Sequence, residues 1–66
     1  MLSQRLLYIL RMYNNPANSD LSREFELIPQ DIDFLEKNGL NVEIIDKRAM
    51  TVLCRVSHKK KEEKIL

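Results

Sequence analysis

Few side chains in this sequence have the chemistry to act on a ligand, and their spacing separates the candidates. Asp31 and Asp33 stand two residues apart, as a carboxylate pair for metal binding or acid–base work would. The plainer reading makes Asp31 an offset to a helix dipole and places Asp33 on a solvated face. Cys54 is the only cysteine and falls at an inward position of an alternating stretch, which suits a buried apolar thiol better than a nucleophile. His58 has no sequence partner that would make a dyad with it and reads as a surface residue. Cys54 and His58 are the only soft ligands, whereas zinc takes about four, so no metal site and no cofactor is expected. The single glycine, Gly39, leaves no glycine-rich phosphate loop and no evident small-molecule site. The chain is not expected to be an enzyme. What remains is basic: Lys47-Arg48 and the run Lys59-Lys60-Lys61, side chains of the kind that meet phosphate oxygens.

With 66 residues the chain forms one domain at most, and a domain of this size is marginal by itself. A lone cysteine excludes an internal disulfide, so tight packing or self-association must supply stability. The same lone cysteine, without a secretory signal, points to a reducing, cytoplasmic compartment. The apolar start is too short and interrupted to span a bilayer, and no membrane role is expected. Net charge is +1, but it is unevenly placed. Residues 1–19 have two arginines and no acid; residues 20–46 have eight acids against two bases; residues 47–66 have seven bases against two acids. The sequence is a charge dipole written along its length, which matters for any partner.

The elements that must position these groups follow from periodicity. Leu2, Leu6, Ile9, Leu10 and Tyr13 form a stripe with a helical repeat, predicting a helix over 2–13 that Asn14-Asn15-Pro16 ends. Ser19 can cap a second helix over 20–26. Pro29 suits the first position of a third helix over 29–38, which Gly39 stops. The period then changes to two, predicting strands over 42–46 and 50–57 joined by a charged tip at Asp46-Lys47-Arg48-Ala49. The tip lacks glycine, so a type I-based loop is expected rather than a primed turn. The expected core is Leu6, Ile9, Leu10, Leu21, Phe25, Ile32, Leu35, Val52 and Cys54. This gives an α+β chain: a three-helix core and two-stranded hairpin over 1–58, and a charged tail over 59–66.

Leu21 is followed by Phe25, Leu27, Ile32 and Leu35 at spacings that close two helices over one core, with small Ser22 allowing close approach. With Gly39 and the hairpin behind it, this pattern resembles the winged helix-turn-helix superfamily, in the manner of small prokaryotic or phage regulators. The resemblance covers residues 2–57. Glu26 departs from it, standing where the family's turn often has glycine. The resemblance implies a DNA-binding transcriptional regulator whose third helix enters the major groove and whose wing meets the backbone. By position, Gln30, Asp33, Phe34 and Lys37 would face the groove, Lys47 and Arg48 would form the wing contact, and Lys59, Lys60 and Lys61 would add phosphate contacts. Such readers bind as dimers, and Leu7, Tyr8 and Met12, lying off the core stripe, are the expected contact of a homodimer.

Charge argues the other way. Residues 20–38 hold Asp20, Glu24, Glu26, Asp31, Asp33 and Glu36 against Arg23 and Lys37, although duplex affinity comes largely from bases on phosphates. Phe34 is an aromatic of the kind that anchors protein contacts. The alternative reading is therefore a non-catalytic protein-interaction module whose acidic helices dock a basic partner.

Overall fold

The computed structural model describes residues 2–59. The first element, helix α1, spans Gln4–Asn14. Leu6, Ile9 and Tyr13 recur on one face and are buried, while Leu7 and Tyr8 are exposed. Ser3 caps the helix: its Oγ accepts from the Leu6 amide at 3.1 Å, satisfying one of the orphan donors of the first turn. The helix stops where expected, at Asn15-Pro16. A single 3₁₀ turn, Pro16–Asn18, follows. Asn15 Oδ1 accepts from the Ala17 amide, and the Asn18 side chain donates to the Met12 carbonyl, which also accepts from the Asn15 amide.

The next element corrects the sequence reading. Residues 20–26 do not form a helix; strand β1 runs Ser22–Leu27. The described chain thus has two helices and a three-stranded antiparallel sheet instead of a three-helix core with a two-stranded hairpin, although its class is still α+β. The reason lies in the same residues. Leu21 and Phe25 match a helical stripe, but Phe25 and Leu27 also match a period of two, and both are buried while Ser22, Glu24 and Glu26 are exposed. Six residues make fewer than two helical turns and give little helical stability by themselves. Pairing with β3 instead engages the backbone groups on one edge of the segment, over six residues in register. Glu26 sits within this strand, and among the described residues none other than Gly39 takes a positive φ, so the left-handed turn that the resemblance asked of Glu26 is not made.

Helix α2 spans Pro29–Lys37, with Pro29 in its first turn, Asp31 near its positive end and Ile32 and Leu35 buried. Gly39 adopts φ +88° just past the Asn38 cap, as a helix terminator does. Strand β2 runs Leu40–Lys47 and strand β3 Val52–His58. The sheet order is β1-β3-β2. Strand β3 is central, with Phe25 opposite Cys54 and Leu27 opposite Val52 on one side, and Val42 opposite Val56 and Ile44 opposite Cys54 on the other. A register shift between Ile44 and Asp46 leaves Ile45 as an extra residue on the edge strand. The turn between β2 and β3 is closed by the Arg48 amide donating to the Thr51 carbonyl at 2.9 Å.

The core lies between the helices and one sheet face. Leu6, Ile9, Tyr13, Phe25, Leu27, Ile32, Leu35, Leu40, Val52, Cys54 and Val56 are buried together. Leu10 and Leu21, expected in this set, are only partly buried and pack against it. Tyr13, Leu27, Leu40 and Val56 complete it instead. The Tyr13 hydroxyl donates to the buried Val56 carbonyl, tying α1 to the central strand.

Candidate protein-docking cleft

The strand ends, the turn between β2 and β3 and the start of α2 meet at one end of the sheet. Between them lies an open cleft of about 490 Å³. Pro29, Ile32, Ile44, Ala49, Met50 and Val52 give it an apolar floor; Asp33 and Glu36 stand on the α2 wall, and Lys47 and Arg48 on the turn wall. Met50 is 83% exposed and Ile44 46%, so the apolar surface here is open to a partner.

The charges of the two walls are partly spent within the chain. Lys37 Nζ lies 2.9 Å from Asp33 Oδ2, one helical turn away. Arg48 donates to Glu26 Oε1 at 3.0 Å and lies 3.7 Å from Asp46. Thr51 Oγ1 donates to the other Glu26 oxygen. These contacts exist because Glu26 belongs to β1, on the solvent face of the sheet, where it reaches the turn. On the same face Arg55, central, lies between Glu24 at 2.8 Å and Glu43 at 3.6 Å, as the register Glu24↔Arg55 and Glu43↔Arg55 requires. Among the described residues, Glu36 and Lys47 have no ion-pair partner within 4.0 Å, so their charges remain available across the cleft.

Of the groove-facing residues named from sequence, Asp33 joins Lys47 and Arg48 at the cleft, while Gln30 is exposed outside its lining. Lys37 is exposed and ion-paired to Asp33. Phe34 does not point outward: it is half-buried against the core. Lys59 lies beside a separate hollow at the far end of the sheet, formed with Ser19, Asp20 and Ser57. Lys60 and Lys61 lie outside the described residues. Leu7 and Tyr8 border a shallow groove of about 210 Å³ with Gln4 and Arg11, and Met12 is half-buried against the core. Sequence reasoning missed Glu36, Ile44 and Met50 as site residues. Glu36 follows Asp33 by three on the helix, a spacing that places both on one face.

The arrangement offers no acid–base pair among the candidates. Asp31 and Asp33 are two apart on α2, a spacing at which helical side chains do not face each other. Cys54 and His58 share a face of β3 but are four residues apart, roughly 13 Å along a strand. The Cys54 thiol is fully buried, approaches the Phe25 carbonyl at 3.5 Å, and is pushed up in pKa by burial. His58 is half-buried rather than exposed, with its ring tilted against Tyr13 at 5.3 Å between centroids. Burial also raises the pKa of Tyr13, against the lowering effects of a backbone hydrogen bond and the charge at Arg23. Among the described residues no group of three or more His, Cys, Asp or Glu side chains is placed to hold a metal ion, and no helix is long and apolar enough to cross a membrane. No family model, no curated protein and no solved structure matches this chain.

Proposed function

We propose that this chain is a non-catalytic protein-interaction module. Its docking site is the cleft between α2 and the β2–β3 turn. The partner brings an apolar side chain to the floor at Ile44 and Met50 and a basic residue to the wall at Asp33 and Glu36. The observation behind this reading is the combination of an open apolar floor and a carboxylate wall. Exposed apolar surface rimmed by polar groups marks contact sites between proteins.

Duplex DNA is the weaker reading. The helix-turn-helix pair that would present a groove-reading helix is replaced by β1. Arg48 and Lys37, two of the basic residues expected to meet DNA, already lie against carboxylates. Fluorescence anisotropy with two labelled probes tests the choice: an amphipathic lysine–leucine peptide and a random DNA duplex, each at low and moderate salt. The peptide should bind, and Asp33→Asn with Glu36→Gln should weaken it roughly tenfold, the scale of losing a close charge pair at an interface. The duplex should not bind. Duplex binding whose salt slope flattens by about 2 in the Lys47→Ala, Arg48→Ala double variant would overturn the proposal in favour of nucleic acid.

A further inference from the structure

The cleft is charged on both walls, and that restricts what can fill it. A uniformly basic partner would satisfy Glu36 but would set like charge against Lys47. A basic peptide can use Glu36 alone; the occupant that uses both walls presents a base toward α2 and an acid toward the turn, with an apolar residue between them. The chain's own cleft end presents this set: Lys47, Glu36 and Met50. In a two-fold pair each patch meets its own copy, so every contact from one residue to another is made twice. Glu36 of one copy then meets Lys47 of the other, and the reverse, using the two wall charges that have no ion-pair partner among the described residues.

Apolar exposure points to the same place. Among the described residues seven large apolar side chains are left exposed; Ile44 and Met50 line the cleft, while Ile28, just before α2, and Ile45, near the end of β2, lie outside its lining. The other three, Leu2, Leu7 and Tyr8, lie on or just before α1. That helix suits self-pairing poorly. An antiparallel pair centred on Tyr8 sets Arg5 against Arg11 of the other copy, and α1 has no acid to offset them.

We infer that the cleft between α2 and the β2–β3 turn is filled by a second copy of this chain, giving a two-fold dimer with reciprocal Glu36–Lys47 pairs and Met50 as its apolar anchor. This inference rests on the docking reading and names the partner. Methionine suits the anchor role, since its unbranched, polarisable side chain fills an irregular floor. A domain of this size also gains from association what its small core does not provide.

Sedimentation equilibrium from micromolar to millimolar protein tests it, with circular dichroism to confirm that each variant is folded. The wild type should show a monomer–dimer equilibrium. Glu36→Lys and Lys47→Glu should each weaken it by roughly tenfold or more, the scale of opposed interface charges. An equimolar mixture of the two variants should recover a dimer, because each now supplies what the other lacks. Met50→Glu should be monomeric. A wild type that stays monomeric at millimolar concentration overturns the inference; if the basic peptide still binds it at Asp33 and Glu36, the docking reading survives with a foreign partner. A dimer untouched by these three substitutions but dissolved by Tyr8→Glu also overturns it, placing the interface on α1.

Discussion

Tyr13 and Cys54 are the two titratable side chains whose environment most changes their chemistry. Both are buried, at 3% and 0% exposure, and desolvation raises both pKa values above the ordinary 10.0 and 9.0. Each is held in its neutral, protonated form by the fold. The unfolded chain therefore releases these protons at lower pH than the native one. Their contribution to stability is complete below the ordinary thiol value and is lost as pH rises through the raised folded values. Denaturant unfolding measured from neutral pH to about 11 should show stability falling on the alkaline side, with a slope of at most about 1.4 kcal/mol per pH unit for each group. Tyr13→Phe should reduce that slope. It should also cost about 0.5–1.5 kcal/mol at neutral pH, the net contribution of the lost hydrogen bond from the Tyr13 hydroxyl to the Val56 carbonyl. An alkaline slope unchanged in Tyr13→Phe and Cys54→Ala alike would show that these two groups do not govern it.

At the scale of elements, α2 ends on one backbone feature. Gly39 takes φ +88°, and a Cβ built there would meet nothing within 4 Å, so a substitution is penalised by backbone conformation alone. Gly39→Ala should cost about 1–2 kcal/mol of unfolding free energy, and Gly39→Asn less, since asparagine tolerates the left-handed region. Equal losses in the two variants would show that side-chain packing, not φ, sets the penalty. This terminator was legible from sequence, as were α1, α2 and the hairpin, because their periods persist over eight or more residues or are bounded by proline and glycine. Strand β1 was not. Its pairs Leu21/Phe25 and Phe25/Leu27 satisfy a helical and an extended repeat within one short segment. What decides between them is the second edge of β3, about thirty residues away, and no local pattern reports a non-local pairing. The site inherits that gap. Lys47, Arg48 and Asp33 could be named from sequence, but Arg48's engagement with Glu26 exists only because Glu26 sits on β1, and Met50 became an anchor only once the turn was placed beside α2.

Across the whole molecule, the charge dipole written along the sequence is partly folded shut. Acids of the central stretch, Glu24, Glu26, Glu43 and Asp46, lie beside Arg48 and Arg55 of the basic stretch. Exposed ion pairs of this kind add little stability. Their larger effect is on the surface the molecule shows to a polyanion: the turn that would otherwise present Arg48 beside Lys47 presents Lys47 alone. On the proposed reading, the expected lack of duplex binding rests in part on two carboxylates, and it should be reversible. Glu26→Gln combined with Asp46→Asn keeps the shapes of both side chains and removes both charges facing Arg48. The variant should gain weak, sequence-independent affinity for a DNA duplex at low salt. Phosphate contacts at Lys47, already unpaired among the described residues, and at the released Arg48 should give a log–log salt slope of about −1.8, and adding Arg48→Ala should cut it to about −0.9. The fold should hold, because Glu26, Asp46 and Arg48 are exposed and the amide at position 26 keeps one oxygen to accept from Arg48 while its nitrogen can donate to the Thr51 hydroxyl. If the double variant binds no duplex at low salt, the ion pairs at the turn are not what keeps this surface from phosphate. The acids of α2, Asp33 and Glu36 across the cleft, would then be the repelling groups to remove next.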